Sequence, residues 1–566
     1  MNAEQLLAHY DRIADAPDAV ARLRRFILNL AVRGKLVPQS PSDETAATLL
    51  KRVLSEKAKL EKVGKLPSGK VPEIVAAGAS PYEIPLGWKW VAVGAVVDAH
   101  VGGGTPSKSN SRYWNGDIFW ASVKDIGKNK FVESTIDTIT EEGLANSSSN
   151  LILPGHLIVV TRMGLGKISI NRVPLAINQD LRALKVSKLV SIDYCYLFFR
   201  THEFDGAGLT VKGIKVDDLL ATSFPLPPLA EQHRIVAKVD ELMALCDQLE
   251  ATRMEREVTR DRLAAASLAR LNAPDPETFT TDARFSLDAL PSLTGRANQI
   301  RQLRQTILNL AIRGKLVKQN LGRESAHDLL RRIAAELAGS AVTKGRRKPE
   351  ALPPIDVADA PFELPVGWAW ARFPELGRFG RGKSKHRPRN DPALYMGGTH
   401  LMIQTGDVAR SRGKITSFTA KYNDFGVAQS MLWPRGTLCI TIAANIADSG
   451  ILGFDACFPD SVVGFVPASP FKDSRYFEYF MRTAKSTLLD FAPATAQKNI
   501  NLEILGSVLI PIPPLVEQQC IVAKVDELLA LCDQLEASLT SADETRRRLL
   551  DALLAEALQP AFQAAA

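Results

Sequence analysis

The chain has 566 residues, of which 46% are hydrophobic and 23% charged, and its formal net charge at pH 7 is +8. This length exceeds what one ordinary hydrophobic core holds, and this composition excludes a wholly disordered chain. No apolar run approaches the roughly 18 residues that cross a bilayer, and the N-terminus lacks the apolar segment of a secretory signal. We therefore expect a cytoplasmic protein, whose modest positive charge permits nucleic-acid binding without requiring it.

The sequence contains three blocks twice, in the same order. The matching pairs are 23–39 with 303–319, 82–90 with 362–370, and 225–251 with 511–537. A tandem duplication is the economical explanation. Between the second and third blocks lie residues 91–224 and 371–510, which share little alignable sequence. The repeated blocks therefore form a frame, and they surround two divergent segments that we call the first insert and the second insert.

The early part of each frame copy predicts a short helix, at 20–36 and at 300–316. Both helices end at Arg-Gly-Lys, because glycine favours the left-handed position after a helix and basic residues suit its last turn. Proline-, lysine- and glycine-rich stretches follow at 64–81 and 339–361, and they predict exposed connectors.

The inserts contain short runs rich in β-branched residues and bounded by glycine, proline or asparagine. These runs predict strands within 117–126, 151–164, 436–446 and 461–469. Residues 193–201 and 473–491 are more typical of helices. We predict that each insert is a small α/β globule.

The third block begins a long helix in each copy. From Ile521 the apolar residues follow alternating steps of four and three, interrupted at Arg546, which is the heptad pattern of a coiled coil. Each helix could run for about 40 residues, or roughly 60 Å. Two such helices, packed antiparallel, would make a stiff connection with an insert at each end. The predicted coiled-coil core consists of Ile235, Val239, Leu242, Cys246, Leu249, Ile521, Val525, Leu528, Cys532 and Leu535.

The order of these blocks resembles a known family. EIPLGWKW and ELPVGWAW each precede an insert, and PLPPLAEQHRIVAKVDEL and PIPPLVEQQCIVAKVDEL each follow one. This arrangement resembles the specificity subunit of Type I restriction-modification enzymes (the HsdS family) over nearly the whole chain. VGGGTPSKSNSRYWNGDIFWASVKDI in the first insert is similar to the opening of many target-recognition domains of that family. GRGKSKHRPRNDPALYMGG in the second insert resembles another common class.

The resemblance implies a function in bacterial defence. Each target-recognition domain would recognise one half of a bipartite, asymmetric DNA site, and the helices would set the spacing and dock two adenine-N6 methyltransferase subunits. ATP-dependent endonuclease and translocase subunits would join them. S-adenosylmethionine, ATP and magnesium would be used by these partner subunits, whereas this chain would bind no cofactor and perform no catalysis.

The fold class that follows is mixed α+β, with two α/β target-recognition globules separated by a long antiparallel helical coiled coil in a pseudo-two-fold internal repeat. The predicted domains are a helical segment at 1–81, the first target-recognition domain at 82–224, a central long helix at 225–272, a second helical segment at 273–361, the second target-recognition domain at 362–510 and the C-terminal long helix at 511–566.

Candidate DNA contacts in the second insert lie in the basic segment, residues 378–389. It contains six cations, one histidine and no acid. Such a loop can lie along phosphates, while an arginine can reach the guanine edge. The alternative is a solvated charged loop, and which side chain meets base or phosphate stays open. The candidates are Arg378, Arg381, Lys383, Lys385, His386, Arg387 and Arg389, together with Gln404, whose amide suits adenine or a buried backbone group.

Candidate contacts in the first insert begin with a glycine-rich polar loop. Small residues allow close backbone approach to phosphates, and hydroxyl and amide groups donate to them. The amides of Asn178 and Gln179 suit adenine or a buried backbone group, and Trp114 and Trp120 are more typical of core residues. The candidates are Gly103, Thr105, Ser107, Lys108 and Asn110 of the loop, with Lys124, Arg162, Lys167, Lys212 and Lys215 as further cations.

Features of the sequence bear on two other classes of function, an enzyme and a protein-binding scaffold. Residues 377–384 match the phosphate-loop pattern G-x-x-x-x-G-K-S, but Pro388 and Pro392 oppose the helix that must follow such a loop. No methyltransferase, nuclease or hydrolase motif is present. The six cysteines form no metal-binding pattern, and Cys246 and Cys532 are typical of apolar core positions. A protein-binding scaffold, whose inserts grip other proteins, is the remaining alternative.

Overall fold

The computed structural model describes residues 16, 18–64, 81–204, 213–273, 275, 277–319, 324–343, 352–356, 360–443, 445–490 and 500–558. The chain forms two compact units. Unit 1 comprises residues 1–255 and 543–566, and unit 2 comprises residues 256–542. Among the described helices, none is both long and apolar enough to cross a membrane.

Helices build most of the frame. The described helices are α1 (Ala19–Val32), α2 (Ala46–Lys62), α3 (Val93–Val96), α4 (Glu141–Ala145), α5 (Ile192–Thr201), α6 (Val216–Ala221), α7 (Leu229–Asn272), α8 (Phe279–Asp288), α9 (Leu290–Leu293), α10 (Ala297–Ile312), α11 (Ala326–Thr343), α12 (Phe373–Leu376), α13 (Thr405–Arg410), α14 (Asp424–Ala428), α15 (Arg475–Asp490), α16 (Leu502–Ser507) and α17 (Leu515–Leu558).

Strands build most of each insert. Unit 1 contains β1 (Lys89–Ala92), β2 (Val97–Gly102), β3 (Trp114–Ala121), β4 (Phe131–Val132), β5 (Asp137–Ile139), β6 (Leu151–Ile152), β7 (Leu157–Val160), β8 (Ile168–Asn171), β9 (Leu175–Ile177), β10 (Leu181–Val186) and β11 (Ser223–Leu226). Unit 2 contains β12 (Ala369–Ala371), β13 (Gly377–Arg381), β14 (His400–Met402), β15 (Gly413–Ile415), β16 (Ala420–Tyr422), β17 (Leu432–Trp433), β18 (Leu438–Thr441), β19 (Ser449–Leu452), β20 (Ala456–Cys457), β21 (Val462–Pro467) and β22 (Ile510–Ile512).

The predicted glycine stops of the short frame helices are confirmed. Gly34 follows α1 with φ +67°, and Gly314 follows α10 with φ +66°. A Cβ at Gly34 would lie 2.4 Å from Pro85, and one at Gly314 would lie 2.6 Å from Pro365. The first two repeated blocks therefore pack against each other in each unit, at a place where only glycine fits. The connector predicted from residue 339 begins too early, because α11 continues to Thr343.

The two inserts have the same topology. The first contains a five-stranded sheet, β2-β10-β7-β8-β4, and a four-stranded sheet, β5-β3-β9-β6. The second contains β13-β21-β18-β19-β15 and β16-β14-β20-β17, which is the same order strand for strand. The parallel pairs also correspond, since β3 pairs with β9 as β14 pairs with β20. Each insert is thus the predicted α/β globule, and their divergence in sequence does not extend to the fold.

Each insert joins its frame through two neighbouring strands. In unit 1, β1 pairs antiparallel with β11, from Lys89 opposite Leu226 to Ala92 opposite Ser223. In unit 2, β12 pairs with β22 in the same way. The chain therefore enters and leaves each insert at one place, so the insert is a closed module on the frame.

Both long helices pass through both units. Unit 1 contains α7 as far as residue 255 and α17 from residue 543, and unit 2 contains the rest of each. In unit 1, α1 contacts α7 through Arg24 and α17 through Arg22. In unit 2, α10 contacts α17 through Arg304, and Arg296, the residue just before α10, contacts α7. The early part of each helix shares a unit with the late part of the other, as antiparallel helices require. The mixed α+β fold class with a central helical coil is therefore confirmed.

The ion pairs of the short helices are duplicated as well. Arg24 lies 2.6 Å from Asp247 and 2.7 Å from Glu250 of α7. Each such exposed pair contributes only about 0–1 kcal/mol, so the pairs align the helices more than they stabilise them. The equivalent contacts of unit 2 are Arg304–Asp533 at 2.7 Å and Arg304–Glu536 at 3.0 Å.

The predicted coil residues are buried mainly in globular cores. Ile235, Val239 and Cys246 pack with α1, α2, α5 and the five-stranded sheet, in a core whose described members include none from α17. The equivalent core of unit 2 likewise includes no described residue of α7. A heptad pattern specifies one apolar face of a helix but not what covers that face. The sequence therefore did not distinguish burial in a globular core from burial against the other long helix. The unit 2 core contains Ile521, Val525 and Cys532 fully buried, with Leu528 and Leu535 partly buried, as Leu242 is in unit 1.

The prediction for Leu249 is wrong. Its side chain is 38% exposed, one helical turn beyond Cys246, where the core of unit 1 has ended. The equivalent Leu535 remains packed against the core of unit 2. The two copies of the frame therefore differ in how far the core follows the long helix.

We expect Ile235→Ala to destabilise unit 1 alone and Ile521→Ala to destabilise unit 2 alone, each by about 2–5 kcal/mol, because both side chains are fully buried in separate cores. Hydrogen–deuterium exchange of each unit, with thermal unfolding, measures this. Leu245→Ala is the matched control for Ile235→Ala, because Leu245 also lies on α7 but is 46% exposed. This substitution should change the free energy of unfolding by less than about 0.5 kcal/mol. Equal loss of protection in both units would contradict separate cores.

Candidate nucleic-acid interface

Several loops of the first insert meet at one edge of its two sheets. β2 ends at Gly102, opposite Arg182 near the start of β10, and the parallel strands β3 and β9 end together at Ala121 and Ile177. The Gly104 N–H donates to the Ile177 carbonyl at 3.0 Å, which ties the edges of the two sheets together. We call this the loop edge of the first insert. The loops on it are residues 103–110, 122–130, 161–167 and 178–180.

The glycine-rich loop is held by two tryptophans. Trp120 Nε1 donates to the Gly104 carbonyl, and Trp114 Nε1 donates to the Ser107 carbonyl, both at 3.1 Å. The two rings meet edge to face with centroids 5.1 Å apart. Trp120 is buried, as expected of a core residue, and Trp114 is half-buried. The tryptophans therefore fix the shape of a loop whose polar side chains face outward.

The start of this loop has no room for side chains. A Cβ at Gly103 would lie 1.8 Å from the Ile177 carbonyl oxygen, and one at Gly104 would lie 2.0 Å from Ser148 Oγ. Glycine at Gly103 is therefore needed for the approach of the loop to β9. This contact gives Gly103 a structural role whether or not its backbone meets phosphate.

Polar side chains connect the glycine-rich loop to the turn at 178–180. Thr105 Oγ1 donates to Gln179 Oε1 at 2.5 Å, and the Gln179 side chain is exposed. Asn178 is buried, and its Oδ1 accepts from the Asp180 N–H, so its amide serves the turn itself. Arg162 Nε lies 3.5 Å from the buried Asp180 carboxylate. This contact brings the hairpin loop, residues 161–167 between β7 and β8, to the same place. The structure thus brings Thr105, Gln179 and Arg162 together.

The remaining candidates of the first insert are distributed along the same edge. Lys108, Lys124 and Lys167 are exposed. Lys215 follows Ile214, whose N–H donates to the Thr161 carbonyl at 2.9 Å beside the hairpin loop. Lys212 lies outside the described residues. Two polar candidates shape the loop itself, since Ser107 Oγ pairs with Ser109 Oγ at 2.9 Å and Asn110 Oδ1 accepts from Arg112 N–H at 3.2 Å.

The second insert has the corresponding loop edge. β13 ends at Arg381 opposite Val463 near the start of β21, and the Ile403 N–H donates to the Cys457 carbonyl where the parallel strands β14 and β20 end. This edge includes the loops at residues 382–391 and 458–461 and the segment 403–407, which leads from β14 into α13. The basic segment and residues 404–407 therefore occupy the places that the glycine-rich loop and residues 122–125 occupy in the first insert.

A neighbouring loop fixes the backbone of the basic segment. Gln429 Oε1 accepts from the N–H groups of Lys385 at 2.7 Å and His386 at 3.0 Å. Ser430 Oγ donates to the Lys383 carbonyl at 2.8 Å. These contacts hold the backbone in place while the side chains of both lysines remain exposed.

Several charges of the basic segment are engaged within the protein. Arg389 makes a bidentate contact with Asp460, at 2.7 and 2.9 Å. His386 Nε2 lies 2.7 Å from Asp391, and the pKa of that carboxyl is lowered by hydrogen bonds from the Ala393 N–H and from His386. The absence of acids within the segment was therefore misleading, because two carboxylates approach it from outside. Arg378 stacks on Trp433 at 4.3 Å, and Arg387 donates to the Ser384 carbonyl at 2.5 Å.

Three cations of the segment remain available to a ligand. Arg381, Lys383 and Lys385 are exposed, and their side chains make no hydrogen bond or ion pair to any residue that the structure describes. They lie at and just beyond the end of β13 on the loop edge. Gln404 is exposed on the same edge, where it is the N-cap residue of α13 just beyond β14.

The phosphate-loop pattern at 377–384 lacks its structural context. Residues 377–381 are themselves the strand β13, and no helix begins directly after Ser384. Because a phosphate loop needs a helix N-terminus facing the phosphates, this match carries no nucleotide site. In the part of the chain that the structure describes, no three histidine, cysteine or acidic residues form a group that could hold a metal ion.

Comparison with known proteins gives a consistent result. The family model for the Type I restriction modification DNA specificity domain matches residues 85–260 and 365–542. The Type I restriction enzyme EcoEI specificity subunit of Escherichia coli is 27% identical over 95% of this chain and 94% of its own length. The EcoAI specificity subunit of the same species is 28% identical over 94% and 93%. A crystal structure of the HsdS subunit from Thermoanaerobacter tengcongensis covers 85% of this chain and 98% of that one, with 19% identity and a TM-score of 0.41.

The two matched stretches cover more than half of the chain, and each spans one insert with the frame segments around it. The chain therefore belongs to the family of Type I restriction-modification DNA specificity proteins, with two copies of the specificity domain. The resemblance seen in the repeated blocks is confirmed.

Proposed function

We propose that this chain is the DNA-recognition subunit of a Type I restriction-modification enzyme, and that it recognises an asymmetric, bipartite DNA sequence without catalysing a reaction itself. Each insert recognises one half of the sequence through its loop edge. The chain directs adenine-N6 methyltransferase subunits, and ATP-dependent restriction subunits, to that site.

The observation that supports this most strongly is that the inserts share a fold but differ at equivalent places on it. The first loop edge presents a glycine-rich loop with hydroxyls and scattered lysines, whereas the second presents Arg381, Lys383 and Lys385 together with Gln404. Base edges are distinguished by the donors and acceptors that meet them. One scaffold with two different sets of donors suits a protein that recognises two different short sequences.

The duplicated frame supports two copies of one partner. Leu86 and its equivalent Val366 are both fully or largely exposed, at 107% and 75%. Leu245 and its equivalent Leu531 are each 46% exposed. Large apolar side chains exposed at the same place in both copies suit a surface that a partner covers. We assign it to the methyltransferase subunit, two per chain, and the S-adenosylmethionine, ATP and magnesium of the reactions to the partner subunits.

The test is to express the chain with its methyltransferase partner in a host that lacks other adenine methylation. Single-molecule sequencing should find methylated adenines in one sequence with two fixed parts and a fixed gap. Native mass spectrometry of the same complex should find two methyltransferase chains for each copy of this chain.

Three results would contradict the proposal: methylation without a bipartite sequence, equal binding of the complex to every duplex in moderate salt, or a stable complex that ignores DNA altogether. The last result would favour a protein-binding scaffold. Nucleotide hydrolysis by the isolated chain that is abolished by Lys383→Ala would instead favour the phosphate-loop alternative.

A further inference from the structure

Each insert carries a short turn at the same place on its loop edge. The first turn, residues 122–125, follows β3. The second turn, residues 404–407, lies just beyond the equivalent strand β14 and consists of the N-cap residue and the start of α13. Their sequences are Ser-Val-Lys-Asp and Gln-Thr-Gly-Asp. Only the final aspartate is shared, so the turns do not stand out in a comparison of the two inserts by sequence.

The shared aspartate closes both turns in the same way. The Ser122 N–H donates to Asp125 Oδ2 at 2.8 Å, and the Gln404 N–H donates to Asp407 Oδ2 at 2.9 Å. Each carboxylate also accepts from the residue directly before the strand that pairs with β3 or β14 in the four-stranded sheet. These second contacts are Ile136 N–H to Asp125 Oδ1 at 2.9 Å, before β5, and Thr419 Oγ1 to Asp407 Oδ2 at 2.5 Å, before β16.

Residues buried in the core flank each turn on both sides. Ala121 precedes the first turn and Ile126 follows it, and both are buried in the same cluster. In the second insert, Ile403 and Val408 have the same positions and are likewise buried together. A turn fixed by its core on both sides and by a carboxylate from within holds its outward side chains in a defined position, which base recognition requires.

The outward side chains differ in chemistry. Lys124 is exposed, and its ammonium group makes no hydrogen bond or ion pair with a residue that the structure describes. At the second turn the exposed side chain is Gln404, whereas Gly406 occupies the place of Lys124. An ammonium group only donates hydrogen bonds, whereas an amide both donates and accepts. In the major groove, guanine presents two acceptors and adenine presents a donor beside an acceptor.

We propose that these two turns are equivalent specificity-determining elements, in which Lys124 recognises a guanine in one half of the DNA site and Gln404 recognises an adenine in the other. The neighbouring loops support the first assignment. A Cβ at Gly164 of the hairpin loop would lie 3.2 Å from Val123, and one at Gly127 would lie 3.0 Å from Lys167. The loop that contains Lys124 therefore lies against the loop that contains the exposed Lys167, which can contact the phosphate backbone.

This inference rests on the proposed function, and the experiment separates the two. The full chain in complex with its methyltransferase partner is incubated with duplex libraries in which one half-site is randomised, and bound DNA is sequenced. Lys124→Gln should change the preferred base at one position of the first half from guanine to adenine, by roughly tenfold or more, and leave the second half unchanged. Gln404→Lys should shift one position of the second half towards guanine and leave the first unchanged.

Lys188→Gln is the matched control for Lys124→Gln. It removes the same charge from the same insert, but Lys188 lies beyond the end of β10, at the opposite edge of the sheet, so base preference should not change. Asp125 and Asp407 are kept in every variant to preserve the turns. If the unaltered complex selects no bipartite sequence, the proposed function fails. If it does, and the variants lose affinity equally for all bases or keep the original preference, only this inference is overturned.

Discussion

A chain in which residues 372–509 replace residues 93–222 should direct methylation to a site that contains the second half-sequence twice and the first not at all. The exchange is possible because β1 pairs with β11 as β12 pairs with β22, so the graft begins and ends at adjacent strands. The strand order of the two inserts is also identical. The two copies of the half-sequence could run in the same direction or in opposite directions along the DNA. Which of these is found would show whether the two copies of the frame are related by a two-fold axis.

The hybrid must repack its junction with the frame. Phe373 and Leu376 of α12 are fully buried in the core of unit 2, whereas the equivalent helix α3 contributes the smaller Val93 and Val96 to the core of unit 1. Overpacking of this kind costs typically about 1–3 kcal/mol. Thermal unfolding and copurification with the methyltransferase therefore accompany the sequencing. A folded hybrid that still marks the first half-sequence would show that recognition does not reside in the inserts.

The frame could be predicted from sequence because its two copies retain the same residues. The stops at Gly34 and Gly314 are local signals, in which a glycine with positive φ follows a helix, and the structure reproduces both. How far the core extends along α7 is not determined by the local sequence. Leu249 fits the heptad as well as Cys246 does, and only the extent of the neighbouring helices and sheet decides that one is exposed and the other buried.

The equivalence of the two inserts was missed for a related reason. Strand order depends on which runs pair, and short buried strands tolerate many apolar residues, so the fold can persist while the sequence diverges. The one retained signal is small: a buried residue, a four-residue turn that ends in aspartate, and a second buried residue, at 121–126 and 403–408. The candidate site shows the same limit, because Asp460 lies 71 residues from Arg389 and no local pattern links them.

Replacing Arg381, Lys383 and Lys385 together by alanine should weaken DNA binding strongly and nearly equally for all sequences. Each cation that neutralises a phosphate contributes about 0.9 to the slope of log affinity against log salt concentration. The triple variant should therefore lose about 2.7 from that slope, which extrapolates to a roughly 150-fold loss of affinity at about 0.15 M salt. Binding of the methyltransferase complex to the bipartite duplex, measured over a range of salt concentrations, provides both quantities.

A second triple variant carries the same change in charge within unit 2. Arg301, Lys315 and Lys318 are exposed on the frame, on α10 or just beyond its end, and none makes an ion pair with a described residue. Their replacement by alanine lowers net charge equally but removes no cation from the loop edge, so the slope should change little. Arg389 stays unaltered in both variants because Asp460 already holds it. If both triple variants lose affinity to the same extent, the attraction comes from net charge, and the basic segment does not lie along the DNA.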